Sequence, residues 1–393
     1  MLQFLFKLVP RSVVMVLLTL TLGAVIAFAA VSHLVTRFNA NQQARGRRLY
    51  RQAVADLNAG HPNRAIEELR AALTCDRGNP QYQLSLGRAL RDMGRLDEAE
   101  SYLQAIWERA PEDGTVNLAL GRIAVRRGSV EDALRYYHNA IYGTWSADAD
   151  ENRRKARIEL AEFLLEKNAL DQARAELVAL SASLPPDPGL GLLTADLLMQ
   201  AQDYPDALAE FEAVLKLDRG NAAALAGAGQ AAYRSGHYRT AHRYLQSGVN
   251  ASPQDAELRS LHASANLILE TDPFVRRISD AERNRRIAAA FLVAGNRLDS
   301  CAQQNGTDLS SIKPTASPTP PLPVSPLPGL KSRWLATKAD LPRLRAAAEA
   351  DLPDTIMDLV FAIEQTTTEM CGEPQGADQA LLLISRDRET ADQ

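Results

Sequence analysis

The segment Gly87-Arg-Ala-Leu-Arg-Asp-Met-Gly94-Arg-Leu-Asp-Glu-Ala99 is echoed 34 residues later by Gly121-Arg-Ile-Ala-Val-Arg-Arg-Gly128-Ser-Val-Glu-Asp-Ala133. The same frame returns in Gly229-Gln-Ala-Ala-Tyr-Arg-Ser-Gly236-His-Tyr-Arg-Thr-Ala241. Tracking its last alanine gives Ala65, Ala99, Ala133, Ala173, Ala207 and Ala241, with spacings of 34, 34, 40, 34 and 34. One six-residue insertion near Trp145 to Asn152 therefore interrupts an otherwise fixed period. A period of this length marks a stack of like units, each too small to bury both of its faces alone.

Each unit reads as two antiparallel helices. In the second, Leu84, Leu86, Gly87 and Leu90 form one apolar stripe, Gly94 ends the helix, and Ala99, Leu103 and Ile106 begin another. Alanine and glycine recur where a larger side chain would wedge the helices apart.

These residues resemble the tetratricopeptide repeat family, whose 34-residue frame runs W-x2-L-G-x2-Y, then A-x3-F, then P. The resemblance covers roughly residues 46 to 255. Leu86-Gly87, Leu120-Gly121 and Gly229 match the L-G step, and the six alanines match the central A. Leu69, Leu103, Tyr137, Leu177, Phe211 and Leu245 fill the F slot, and Pro111, Pro185 and Pro253 match the terminal P. The frame's Trp is absent from every unit. The resemblance implies an all-α, right-handed superhelical solenoid of about six hairpins whose first helices line a groove for extended peptides. Carried over position by position, the groove residues are Arg88, Arg91, Arg122 and Arg126, then Glu162, Glu166 and Asp196. Guanidinium forks bind carboxylates bidentately, so an acidic peptide or a C-terminal carboxylate is the expected partner of the arginine end. The bland alternative is a helix face charged for solubility.

Upstream, Ser12 to Thr36 carries no Asp, Glu, Lys or Arg, long enough for one transmembrane helix. A cleaved signal sequence is the competitor, with Lys7 and Arg11 before the apolar run and Ala27-Phe28-Ala29 as a small-x-small site. Arg37, Arg45, Arg47, Arg48 and Arg51 follow the span, and positive-inside counting favours a cytoplasmic body. The short N-terminal tail, the signal-like site and the cysteine placement favour the extracytoplasmic (periplasmic) side, the orientation adopted here for a single-pass membrane protein.

Downstream, Ser279 precedes a long amphipathic helix suited to cap the array. Seven prolines between Pro314 and Pro328 read as an extended spacer, and helical patterning resumes beyond it. Cys301 and Cys371 close the two flanking helices. A bridge between them would pin the tail to the end of the array, the alternative being two free thiols. Cys75 reads as a small core residue.

The expected segments are a short tail 1–11, an anchor or signal segment 12–36, a basic juxtamembrane segment 37–45 and six repeats over 46–255. A partial seventh unit and capping helix follow over 256–305, then a Pro-rich linker 306–330 and a helical C-terminal segment with a disordered end, 331–393.

The chain's 393 residues carry 44 Lys and Arg against 48 Asp and Glu, a net charge of −4 that disfavours nucleic acid as partner. Three cysteines without a C-x-x-C spacing and six histidines without H-E-x-x-H give no metal site. Gly227-Ala-Gly229 mimics a dinucleotide fingerprint but lies inside a repeat helix. No catalytic residue and no cofactor are expected. The expected function is a non-catalytic scaffold at a membrane, anchored through residues 12–36 and holding other proteins or extended peptides. The alternatives are a cytoplasmic-facing adaptor regulating a membrane enzyme or assembly complex, and an enzyme whose site, using Cys371 or acidic residues, lies in the C-terminal segment.

Overall fold

In the computed structural model the described residues are 11–314, 326–346 and 351–391, and they form seventeen α-helices and one short 3-10 turn. The tail before residue 11 and residues 315–325, which hold most of the proline-rich run, lie outside them. The chain divides into two compact units, Met1–Ala169 and Leu170–Gln393.

The first unit comprises α1 (Arg11–Asn58), α2 (Pro62–Cys75), α3 (Pro80–Asp92), α4 (Leu96–Trp107), α5 (Gly114–Arg127), α6 (Val130–Tyr142) and α7 (Ala149–Glu166). The anchor, juxtamembrane and first-repeat segments expected to be separate form the single 48-residue helix α1. No proline lies between Arg11 and Asn58 to stop it, and Gly46 seats against Cys75 and Tyr82. Its apolar portion, from Met15 to Phe38, is exposed, and the helix is long and apolar enough to cross a bilayer, with a mean hydropathy of 2.3 over its best 18 residues. Cys75 is half-buried and free, less enclosed than a core residue. The insertion folds back onto the preceding repeat, where Gly114 N donates to Thr144 O and Thr144 N to Glu112 O, both at 2.8 Å. Trp145 then lies so close to Gly114 that a Cβ there would stand 2.3 Å from its ring.

The second unit comprises α8 (Leu170–Ser181), α9 (Pro188–Gln200), α10 (Tyr204–Leu217), α11 (Ala222–Arg234), α12 (Tyr238–Ala251) and α13 (Ala256–Thr271). A C-terminal body follows with α14 (Asp280–Gln304), α15 (Leu327–Lys338), a 3-10 turn (Leu341–Ala346), α16 (Leu352–Cys371) and α17 (Ala377–Ala391). Helix α15 thus begins inside the expected linker, and α17 occupies the stretch expected to end in disorder.

The periodic residues do the packing. All six frame alanines are fully buried, and every residue of the F slot is at most 2% exposed. Burying one such large apolar side chain stabilises by about 1.5–3 kcal/mol. A Cβ at Gly227 would stand 2.2 Å from Phe211 and one at Gly229 2.7 Å from Leu245, so this glycine pair serves helix packing. The turn between a unit's two helices needs a left-handed residue, supplied at Gly60, Gly94, Gly128, Asn168, Gln202 and Gly236. Four of the six are glycine, which adopts that conformation without a Cβ penalty. First helices are capped by Asn79, Asp113, Asp187, Asn221 and Asp255, whose side chains accept backbone N–H bonds from the first turn.

The C-terminal body has its own core. Trp334 stacks on Phe291 with ring centroids 5.0 Å apart and donates its Nε1–H to Phe291 O at 3.0 Å. Ile287, Leu298, Ile356, Val360 and Leu381 surround them, and Ile268 joins the same cluster from α13. Cys301 and Cys371 are bonded, with Cα atoms 5.8 Å apart. Their bond ties the end of α14 to the end of α16.

Candidate functional site

Three consecutive first helices, α3, α5 and α7, with Tyr137 of α6, form a cleft of about 380 Å³ lined by Arg91, Arg122, Val125, Arg126, Tyr137, Glu159, Glu162, Phe163 and Glu166. Six of these nine are charged. The 34-residue period returns equivalent positions of α3 and α5 to the same face, so Arg88 aligns with Arg122 and Arg91 with Val125, and the insertion lengthens the step to α7 to 40 residues, so Glu162 aligns with Arg122.

The arginines differ in what holds them. Arg122 makes a two-pronged ion pair with Glu159, Nε to Oε2 at 2.8 Å and Nη2 to Oε1 at 2.6 Å. Tyr137 donates its hydroxyl to the same Oε2 at 3.0 Å. Hydrogen bonding to Glu159 lifts the Arg122 guanidinium above its ordinary value, and burial, reinforced by Glu159, lifts the Tyr137 phenol. Arg122 is therefore committed to a carboxylate of its own chain. Arg91 reaches Asp92 Oδ1 through Nε at 2.9 Å and Nη2 at 2.7 Å, while its Nη1 is buried without a partner among the described residues.

Arg88 lies one turn before Arg91 on α3. Burial, and then the positive charges of Arg122 and Arg91, hold its guanidinium below the ordinary arginine value. Its Nε is also buried without a partner among the described residues. Arg126 is exposed on α5. Glu162 and Glu166 are exposed on α7, with Glu166 3.8 Å from Lys167. The cleft thus gathers Arg91, Arg122 and Arg126 with Glu162 and Glu166, and Arg88 stands beside Arg91. Asp196 belongs to α9 of the second unit, where desolvation raises its carboxyl.

Glu159 is the cleft residue that position-by-position comparison missed. With the insertion counted, Glu162 is the equivalent of Arg122, and Glu159 sits one turn earlier. The signal that finds it is an opposite charge displaced by one turn on the next first helix, within reach of a long arginine side chain.

The C-terminal body holds a second cluster. Glu364 of α16 is fully buried against Asp378 of α17, with Arg297 of α14 nearby. Burial, with Asp378 adding to it, pushes the Glu364 carboxyl up to about 9, and burial raises Asp378 as well. Neutral pH leaves Glu364 protonated. Cys371 is bonded to Cys301, and the C-terminal segment has no other cysteine to act as a nucleophile. Among the described residues no group of three or more His, Cys, Asp or Glu side chains is placed to hold a metal ion.

The tetratricopeptide repeat model matches residues 56–123, 90–141 and 198–265. Among curated proteins, the DnaJ protein P58IPK homolog of Arabidopsis thaliana is 23% identical over 222 residues, 56% of this chain and 40% of that protein. Cellulose synthase operon protein C of Komagataeibacter xylinus is 33% identical over 216 residues, 50% of this chain and 16% of that protein. The chain therefore spans less than half the length of either relative. Among solved structures, the pilF protein of Pseudomonas aeruginosa aligns with a TM-score of 0.38 at 18% identity, covering 57% of this chain and 99% of that one. The C-terminal part of a repeat protein from Cytophaga hutchinsonii aligns with a TM-score of 0.42 at 15% identity, covering 61% and 93%. Residues 56–141 and 198–265, helical throughout apart from their turns, are thus similar to tetratricopeptide repeats.

Proposed function

We propose that the chain is a membrane-held, non-catalytic scaffold that grips an extended segment of a partner protein in the cleft across α3, α5 and α7. The observation that carries this reading is the open, charge-lined cleft itself, in whose wall Arg91 keeps one N–H, Nη1, without a partner among the described residues and Arg126 is exposed. Buried donors without acceptors cost stability, and a ligand carboxylate supplies the missing acceptors. Tetratricopeptide repeats in general mediate protein–protein interaction, and a pre-formed cleft lowers the ordering cost of holding a flexible segment. The expected assay is selection of peptides from a random displayed library by the full chain. Binders that Val125→Trp excludes from the cleft support the reading, and binders indifferent to that substitution contradict it.

The repeats are proposed to face the extracytoplasmic side. The pairing of Cys301 with Cys371 supports this, because such bonds persist in oxidising compartments. The runner-up, a cytoplasmic-facing adaptor for a membrane enzyme or assembly complex, is favoured by one observation, the arginines at 37, 45, 47, 48 and 51 beyond the apolar stretch. Protease treatment of sealed vesicles of known orientation, with mass mapping of the two cysteines, separates the readings. Free thiols on a cytoplasmic array would establish the runner-up.

A further inference from the structure

Charge in the cleft is divided by helix. Arg88 and Arg91 stand on α3 and Arg126 on α5, whereas Glu162 and Glu166 stand on α7. At the boundary, the Arg122–Glu159 pair is closed and braced by Tyr137, so those two charges cancel and the middle keeps only the exposed Arg126. The two ends carry opposite signs. Arg88 is crowded by the like charges of Arg122 and Arg91; Asp92 takes Nε and Nη2 of Arg91, and Arg88 Nε and Arg91 Nη1 are buried without acceptors among the described residues. Glu162 and Glu166 are exposed at the opposite end. A uniformly acidic segment satisfies the first end and is repelled by the second.

Resting on the scaffold reading above, we propose that the segment held here is dipolar: an extended peptide that sets a carboxylate-bearing residue on Arg88 and Arg91 and a basic residue on Glu162 and Glu166. Arg122 is then a positioning residue that fixes Glu159 at the boundary and takes no ligand group itself. The spacing of the two peptide charges follows from the helices. Packed neighbours lie about 8–10 Å apart, so α3 and α7, with α5 between them, are separated by at least roughly 16–20 Å. An extended chain advances about 3.3 Å per residue, so the acidic and basic residues sit roughly five or six positions apart.

The test uses the full chain in detergent and dye-labelled twelve-residue Gly/Ser/Ala peptides read by fluorescence anisotropy. One pair carries two Asp and two Lys six positions apart, in each of the two orders. Controls carry only Asp, only Lys, or no charge. One order of the dipolar pair should bind at least roughly tenfold tighter than every control, with affinity falling as salt rises. The charge-reversed variant Arg88→Glu/Arg91→Glu/Glu162→Lys/Glu166→Lys, checked for helical content, should prefer the opposite order. Arg122→Gln should weaken both orders equally and leave the preference intact. Tightest binding of the all-Asp peptide, or equal binding of dipolar and uncharged peptides, overturns the dipolar assignment while leaving the cleft a binding site. Binding of no peptide, combined with library binders indifferent to Val125→Trp, overturns the scaffold reading as well.

Discussion

The cleft of the first unit and the C-terminal body of the second both enclose charged side chains, but they neutralise them by opposite means. In the cleft, the charge of Arg122, an arginine ionised in any setting, is balanced by Glu159 placed opposite it with two short bonds. In the C-terminal body, Glu364 faces another carboxyl and keeps a proton instead. A buried group supplied with a counter-ion remains charged and available to electrostatic recognition, whereas one facing a like charge is driven to its neutral form. The first arrangement suits a binding surface, and the second makes the stability of a structural core depend on pH.

The largest effect that sharpens this contrast concerns the C-terminal body alone. Cys371→Ser, read by chemical denaturation, should lower that body's stability by about 4 kcal/mol, since the bond closes a loop spanning a sequence separation of 70 residues. A drop in the first unit instead would place the disulfide's influence wrongly.

Glu364→Gln should stabilise the C-terminal body at pH 7 by up to about 3 kcal/mol, because glutamine supplies the neutral group without the free energy of holding the proton. The sign follows from a carboxyl raised from 4.5 in the unfolded chain to about 9 in the folded one. The folded state binds a proton that the unfolded state releases, so this contribution is full below the lower value and is lost as pH rises toward the higher. Wild-type stability measured across that window should fall with pH, and the variant's curve should be flatter. Parallel curves would show that Glu364 is not the proton holder.

Removing the counter-ion in the cleft should have a smaller effect. Arg122→Ala leaves Glu159 and Tyr137 facing each other, but both ion-pair partners are about one-third exposed, at 34% and 30%. Solvent screening limits the loss to about 1–2 kcal/mol in thermal unfolding of the first unit. The smallest effect is at the repeat turns. Gln202 carries φ 59° where four equivalent positions are glycine, so Gln202→Gly should gain about 0.5–1 kcal/mol. Gly94→Ala, at φ 76°, should lose a similar amount.

Much of the fold is legible in the sequence because its constraints repeat. The alanine frame, the F slot and most turn glycines recur at one period, and the structure buries the alanines and F-slot residues together. Features without a period were harder to see. Asn168 and Gln202 hide turn positions because neither is the glycine that announces one. Glu159 escaped because it is one helical turn away from the equivalent of Arg122. The C-terminal core was illegible because it rests on single encounters that no period repeats, such as Trp334 on Phe291, far apart in the chain, and Glu364 against Asp378 on the next helix. The start of α15 was hidden by its prolines, although Leu327 and Pro328 lie in its first turn, where proline is tolerated.

The most direct test of the central claim is site-specific photo-crosslinking of the full chain in its native membrane, with the reactive residue placed at Val125 in the cleft or at the exposed Ser101 of α4. The account predicts a discrete protein adduct from position 125, absent from position 101, mapping to a segment that carries acidic and basic residues and competed away by the dipolar peptide. Adducts of equal yield from both positions, or none from position 125, would contradict it.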